Sequence, residues 1–204
     1  MIEKKTFAEQ ILQFNEELSR NSLDLTAGFR FVNPFTGDQQ EQVKKVTTAF
    51  YQKYYNDIST RRLILGSSPA RRGSAVTGIP FEDAKRLQKE TGICIENFFV
   101  TQSSSGFLDD VISEYGGRKN FYADFYMNFV CPLGLVRTNS KGNEVNCNYY
   151  ENKKLQEILC PFIVSTIRKF FSRIVPLEHP RFITQYNSKR KDIFIAKYIS
   201  ALRT

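Results

Sequence analysis

A short apolar run, Leu63-Ile64-Leu65, ends in a long loop of small, polar and charged residues. The loop begins with Gly66-Ser67-Ser68-Pro69-Ala70, continues through Arg71 and Arg72, and reaches Thr77-Gly78-Ile79-Pro80-Phe81. Glycine and serine let a backbone approach a ligand closely, and their N–H and O–H groups can bind phosphate. The loop lacks the Gly-Lys-Ser/Thr of a Walker A loop and the spacing of a dinucleotide-binding loop. Taken alone, such a loop is more often a turn than a binding site.

Apolar strands alternate with helical segments along the rest of the chain. Strands are expected at 61–66, 123–130 and 173–178. Helices are expected at 6–14, 40–57, 108–115, 151–171 and 188–203, with another beginning near Phe81. The segment 29–38 is predicted to form turns, and 93–102 stays unassigned. The segment 173–182 is predicted to be a strand that enters a loop, and Pro161 is expected to break its helix. This alternation predicts an α/β fold with a mainly parallel sheet, whose loops after residues 65, 128 and 177 share the ligand-binding edge.

Composition narrows the class of protein. The 204 residues are 41% hydrophobic and 14% aromatic, which indicates one globular domain over 1–204 rather than a disordered chain. The net charge of +8 favours an acidic partner, of which nucleic acid is the commonest, although an ordinary basic protein is an equal alternative. The four cysteines form no Cys-x-x-Cys pair and are expected to be buried, reduced thiols of a cytoplasmic protein. No apolar run is long enough to predict a membrane span.

Several motifs together resemble the uracil-DNA glycosylase superfamily, most closely its single-strand-selective monofunctional (SMUG-type) branch and a bacterial subgroup of it. That branch carries a Gly-x-Asn-Pro-Gly loop followed by Thr-Gly-Val-Pro-Phe, at the spacing seen here between residues 66 and 81. Further likenesses are the "FVNPF" element at 31–35, the Ser-Gly to Gly-Gly helix at 105–117, the "NFVCPL" strand end at 128–133 and "EHPRF" at 178–182. The "NFVCPL" element has one residue more than the family motif before its cysteine.

The resemblance implies a three-layer α/β/α sandwich around a central, mainly parallel four-stranded sheet. The sequence offers three convincing strands, and the strand–helix unit that the family places before its His-Pro motif is missing. Such a unit takes about 30 residues, whereas 167–171 passes almost directly into 173–175. We therefore expect a gap or an abrupt rearrangement near 167–172, unless 93–101 supplies the fourth strand.

The family's catalytic and base-binding roles carry over to matching positions. His179, the only histidine, would stabilise the departing base, and Asn128 would pair with the flipped uracil. Phe81 would stack on the base, and Gly66 and Pro69 would shape the pocket. Without the motif, His179 reads as a packing or surface residue and Asn128 as a strand cap.

Ser68 departs from the family pattern, which has asparagine at this position to hold the attacking water. Serine is shorter and is no general base at neutral pH, so activity could be reduced, altered or lost. A wedge into the DNA stack is expected from Arg181 and Phe182, which follow His-Pro. Further contacts to DNA are expected from the basic residues Arg71, Arg72, Lys189, Arg190 and Lys191. The basic run at 189–191 reads equally well as a solvated helix face.

The resemblance implies a monofunctional DNA glycosylase of base excision repair, which removes uracil or 5-hydroxymethyluracil and leaves an abasic site. No lysine occupies a motif position suited to Schiff-base lyase chemistry. No metal ion or organic cofactor is implied, and the expected partner of this monomer is DNA rather than a membrane. Two alternatives stay open. One is a catalytically silent nucleic-acid-binding module, favoured by Ser68, and the other is a hydrolase of free nucleosides, which would not depend on Arg181 or Phe182.

Overall fold

The computed structural model describes residues 4–94, 102–167, 177–178 and 180–203, with the backbone alone for 102–105, 181 and 182. The elements in chain order are α1 (Phe7–Ser19), β1 (Phe29–Val32), α2 (Gln40–Tyr55), β2 (Arg62–Gly66), α3 (Ser74–Thr77), α4 (Ala84–Thr91), α5 (Gln102–Glu114), α6 (Arg118–Asp124), β3 (Phe125–Phe129), β4 (Gly134–Thr138), β5 (Glu144–Asn146), α7 (Lys153–Ile167), α8 (Pro180–Tyr186) and α9 (Lys191–Arg203). A short 3-10 turn at 188–190 leads into α9.

The predicted strands at 61–66 and 123–130 form a parallel pair, β2 and β3. Leu65 lies opposite Asn128, and Gly66 lies opposite Phe129. The pairing continues beyond the strands, because the amide of Val130 donates to the Gly66 carbonyl at 2.8 Å and that of Cys131 donates to the Ser67 carbonyl at 3.0 Å. The loop after β2 therefore begins directly beside the end of β3, as the α/β prediction requires.

A second sheet was not predicted from the sequence. β1 pairs antiparallel with β4, and β4 pairs antiparallel with β5. The interpretation of 29–38 as turns alone was wrong for its first four residues, because Phe29 and Phe31 pack against a buried cluster that includes Leu135 and Leu155. Such pairing joins segments far apart in the chain, which local sequence pattern does not reveal.

The helices at both ends of the chain follow their predicted patterns. α1 begins at a capping box, in which Thr6 and Glu9 each bind the other's backbone amide. Its apolar face and that of α2 enter the main core, which packs an aromatic cluster around Tyr55 and Tyr122 against β3. α9 adds Tyr198 to the same core, so the two ends of the chain pack on the pair of strands that position the loop.

Four predicted boundaries were wrong for identifiable reasons. The helix expected near Phe81 starts at Ala84, because Asp83 caps it by accepting from the Arg86 amide at 3.0 Å. The strand expected from residue 123 starts at Phe125, because α6 occupies 118–124. Pro161 does not break α7. Proline has no N–H to donate to the Glu157 carbonyl, but both residues are exposed, so water can bind that carbonyl instead. Residues 180–182 are helical rather than a loop, because proline suits the first position of a helix.

The prediction of four buried thiols was wrong for half of them. Cys131 and Cys147 are buried, whereas Cys94 and Cys160 are exposed, and all four are free. Burial raises the pKa of the Cys131 thiol to about 12 and that of Cys147 to about 11. The two buried thiols are therefore small apolar core residues rather than reactive groups.

Some predictions fall outside the described residues. Of the strand predicted at 173–178, the structure describes the last two residues, which form no strand. The rearrangement predicted near 167–172 lies outside the described residues beyond residue 167, and so does most of 93–102. The α/β class holds, but the described residues contain one parallel pair rather than the predicted four-stranded sheet. No helix within the described residues is long and apolar enough to cross a membrane.

Candidate active site

The end of β2 brings a glycine against two aromatic rings. Phe81 and Phe129 lie with their ring centroids 4.8 Å apart. A Cβ atom on Gly66 would come within 2.7 Å of Phe81 Cζ and 2.8 Å of Phe129 Cδ1. These distances are too short for any side chain, so glycine at residue 66 is what lets the Phe81 ring sit at the strand end.

Phe81 adopts a backbone conformation that is rare for a bulky residue. Its φ of +61° lies in the left-handed region, and its amide donates to Ser74 Oγ at 2.9 Å. Such a conformation costs about 1–3 kcal/mol and persists only where the surroundings hold it. Ser74 therefore fixes the backbone that carries the Phe81 ring.

A buried carboxylate follows directly after Phe81. Glu82 Oε1 accepts from the Tyr122 hydroxyl at 2.6 Å and lies 3.4 Å from Arg118 Nε. Arg118 also pairs with Asp109 at 2.7 Å. Burial raises the pKa of Glu82, against the opposing effect of Arg118 and the Tyr122 hydrogen bond. This network anchors the chain next to the predicted stacking ring.

The amide of Asn128 is held in one orientation at the end of β3. The Phe129 backbone N–H donates to Asn128 Oδ1 at 2.8 Å, and Asn128 Nδ2 donates to the Tyr126 hydroxyl at 3.0 Å. A backbone N–H can only donate, so the oxygen must face Phe129 and the nitrogen must face Tyr126. An amide has two protons and two oxygen lone pairs, so each end has capacity for one further partner.

Ser68 contacts a segment that the sequence did not single out. Its hydroxyl donates to Asn148 Oδ1 at 3.0 Å, and Asn148 Nδ2 donates to Glu151 Oε1 at 2.9 Å. A second bond joins the loop after β2 to the same segment, from the Arg71 amide to Oδ1 of Asn146, the last residue of β5, at 3.1 Å. The asparagine-rich run at 143–152 is the only sequence signal that marks this segment.

A pocket lies against these strand ends. Pro69, Asn128 and Phe129 line it, together with Asn15 from α1. Asn15 is 8% exposed, and its Nδ2 has no hydrogen-bond partner within the part of the chain that the structure describes. An unpaired buried donor is uncommon and marks a position where a bound molecule can supply the missing acceptor. Two predicted site residues, Pro69 and Asn128, thus share a pocket wall with a residue that sequence reasoning missed.

Two comparisons bear on the family. Residues 52–203 match the family model described as the uracil DNA glycosylase superfamily. The chain belongs to this superfamily. The crystal structure of wild-type SMUG2 from Pedobacter heparinus resembles it with a TM-score of 0.88 and 40% sequence identity, over 100% of this chain and 98% of that chain. Among curated proteins, none matches. The SMUG-type resemblance predicted from the motifs is confirmed, and a DNA glycosylase family implies DNA as the substrate.

The remaining residues predicted for a glycosylase site lie on α8, near the start of α9 and in the loop after β2, except for one that the structure does not describe. His179 lies outside the described residues, and Arg181 and Phe182 belong to the first turn of α8. Arg72, Lys189 and Arg190 are exposed and Arg71 is half-buried, whereas Lys191 pairs with Asp110 on α5. Among the described residues, no group of three or more His, Cys, Asp or Glu side chains is arranged to hold a metal ion.

Proposed function

We propose that this superfamily member is a monofunctional DNA glycosylase, a hydrolase that cleaves the N-glycosidic bond of uracil or 5-hydroxymethyluracil flipped out of DNA. The observation that carries the proposal is the fixed amide of Asn128, whose oxygen and nitrogen are each held by one neighbour in the wall of a pocket. The product is an abasic site, which places the protein in base excision repair.

The Asn128 amide has the pattern that distinguishes uracil from cytosine. Its free oxygen lone pair can accept from the uracil N3–H, and its free N–H can donate to the O4 carbonyl. Cytosine offers an acceptor at N3 and a donor at its amino group, the reverse of what the fixed amide requires. Because rotation would break the bond from Phe129, the amide cannot turn over to suit cytosine.

The aromatic and loop residues suit a flat ligand. Phe81 is half-buried, and the missing side chain of Gly66 lets the Phe81 ring lie at the strand end. Pro69 shapes the wall of the adjoining pocket. In this proposal the base stacks on Phe81 while Asn128 pairs with its edge.

Bond cleavage leaves negative charge on the departing base. By family resemblance, His179 donates a hydrogen bond to a base oxygen and so stabilises that charge in the transition state. Ser68 contacts the water that attacks C1′ of the sugar. These steps call on side chains alone, so the proposed reaction uses no metal ion or organic cofactor.

Basic side chains account for binding to the phosphate backbone. In this proposal Arg71, Arg72, Lys189 and Arg190 contact phosphates, with Lys191 beside them, and Arg181 and Phe182 fill the gap left by the flipped nucleotide. The net charge of +8 favours this partner. The protein would act on DNA as a cytoplasmic monomer.

A catalytically silent DNA-binding protein is the alternative, and one observation favours it. Ser68 stands where the branch carries asparagine, so the usual ligand for the attacking water is absent. This alternative predicts salt-sensitive DNA binding that does not change when His179 is replaced.

The test is release of base from a single-stranded oligonucleotide that carries one uracil or one 5-hydroxymethyluracil, scored by alkaline cleavage of the abasic site. We expect cleavage by the wild type and a loss on the order of 100-fold in His179→Ala and Asn128→Ala. Asn120→Ala is the matched control, because Asn120 is an exposed asparagine that donates to the Gly116 carbonyl and has no proposed role. Absence of cleavage by the wild type on both bases, with DNA binding retained, would establish the silent binder.

A further inference from the structure

A carboxylate determines which way the Asn148 amide faces. Glu151 Oε1 accepts from both the backbone amide and the side-chain Nδ2 of Asn148, each at 2.9 Å. An ionised carboxylate can only accept hydrogen bonds, so the nitrogen of the Asn148 side chain must point toward Glu151. Its oxygen must then point the opposite way, toward Ser68.

The orientation of Asn148 in turn determines the direction of the Ser68 hydroxyl proton. Asn148 Oδ1 lies 3.0 Å from Ser68 Oγ and can only accept, so the serine must donate to it. Within the part of the chain that the structure describes, both lone pairs of Ser68 Oγ are then left for other donors. A free serine hydroxyl rotates, whereas this one is held as an acceptor.

Ser68 belongs to the loop that forms part of the pocket wall. Ser68 directly precedes Pro69, which lines the pocket, and Ser67 is fixed to β3 through the Cys131 amide at 3.0 Å. The Arg71 amide and Asn146 bind the other end of the loop to the same segment. Ser68 is therefore held by Asn148 and by the fixed backbone of Ser67, at the place where the branch motif carries a longer amide.

We propose that Asn148 and Glu151 are positioning residues that hold Ser68 Oγ as the acceptor for the attacking water. This inference rests on the proposed glycosylase activity. In the reaction, the bond between C1′ and the base nitrogen breaks and its electron pair leaves with the base. The water oxygen then bonds to C1′, and the proton that the water loses ends on the departing base. Ser68 orients that water through one hydrogen bond and keeps its own proton on Asn148. The segment 148–151 thus compensates for the asparagine missing from the loop.

A double-mutant cycle tests this arrangement. Ser68→Ala and Asn148→Ala should each lower kcat for uracil release on the order of 100-fold, with KM nearly unchanged, because misplacing a reacting group has about that effect. The double variant should be no slower than the slower single variant, since Asn148 acts only through Ser68. Glu151→Gln should lower kcat less than Asn148→Ala, because a glutamine amide can still bind Asn148 but no longer fixes its orientation.

A rescue and a matched control separate positioning from folding. Ser68→Asn introduced into Asn148→Ala should restore most of kcat, because the longer amide reaches the water without help. Asn146→Ala removes the bond from the Arg71 amide, which does not involve Ser68, and should leave kcat within about threefold of wild type. Additive losses in the double variant, equal losses in Asn146→Ala and Asn148→Ala, or an unchanged Asn148→Ala would overturn the inference while the glycosylase activity stands. A wild type that releases neither base would overturn both proposals.

Discussion

The side-chain amide of Asn128 donates from Nδ2 to the hydroxyl of Tyr126 across 3.0 Å, at the end of β3. The two residues are two positions apart on a strand, so their side chains lie on the same face. Tyr126 is 3% exposed and Asn128 is 8% exposed, so water cannot easily replace either partner. Tyr126 therefore helps to hold the amide that we propose reads the base.

Tyr126→Phe should weaken base recognition without removing the pocket. The change leaves a buried amide proton without an acceptor, which costs about 1–3 kcal/mol. We expect kcat/KM for uracil to fall about tenfold, the equivalent of about 1.4 kcal/mol. Single-turnover kinetics on a uracil oligonucleotide measure this.

Tyr55→Phe is the matched control for that experiment. Tyr55 is also buried, and its hydroxyl donates to the Phe125 carbonyl at 3.0 Å, at the opposite end of β3. It should lower the free energy of unfolding by about 1 kcal/mol and leave kcat/KM unchanged. Equal losses of activity in the two variants would contradict a role for Tyr126 in holding Asn128.

Gly66→Ala should remove activity by displacing the aromatic rings. The new Cβ would come within 2.7 Å of Phe81 Cζ and 2.9 Å of Phe129 Cε1, so one ring must move. We expect a loss in kcat/KM of about 100-fold together with destabilisation of about 1–3 kcal/mol. Gly106→Ala is the control, since a Cβ there meets nothing within 4 Å and alanine favours a helix. Full activity in Gly66→Ala would show that Phe81 does not need its present position.

Sequence pattern alone could predict the parts of the fold whose signals are local. The period of α1 and α2 and the apolar run of β2 each lie within one segment, so those elements were found. The pairing of β1 with β4 could not be found in this way, because Phe29 gains a strand partner only when Arg137 arrives beside it. The helix start at Ala84 was missed by three residues, although the Asp83 side chain that caps this helix is itself a local signal.

The residues of the candidate site were likewise predictable where their signals are local and not where they depend on distant contacts. Gly66, Phe81 and Asn128 stand in motifs that the sequence displays, and the structure brings them to adjoining strand ends. Asn148 stands 80 residues from Ser68 in the chain, in no motif, and was therefore missed. The clearest sequence signal for Asn148 is the departure of Ser68 from the branch motif. A serine at a position where the motif has asparagine predicts that another residue supplies a side-chain amide.

Glu82 should make the protein less stable as the pH rises. Burial raises its pKa above the usual 4.5, so the folded protein holds a proton that the unfolded chain releases. Its contribution to stability is complete below about pH 4.5 and is lost as the pH rises through the raised value. Glu82→Gln keeps an acceptor for the Tyr122 hydroxyl but does not titrate.

The stability advantage of the wild type over Glu82→Gln should therefore shrink as the pH rises above about 4.5. Urea unfolding of both proteins across that range measures the difference and cancels the other titrating groups. An advantage that grows with pH would mean that the pairing with Arg118 outweighs burial and lowers the pKa of Glu82 instead.

Arg71 and Arg72 should contribute to DNA binding mainly through phosphate charge. Replacing both with glutamine removes two cations beside the loop, and each phosphate contact to a single strand contributes about 0.7 to the salt slope. We expect the slope of log K against log salt to become shallower by about 1.4, measured by fluorescence anisotropy between about 50 and 200 mM salt. Lys44→Gln with Lys45→Gln is the matched control, because this adjacent pair is exposed on α2 and has no proposed role. An equal change of slope in both double variants would mean that DNA responds to net charge alone, whereas a change confined to the arginine pair would locate the strand beside the loop.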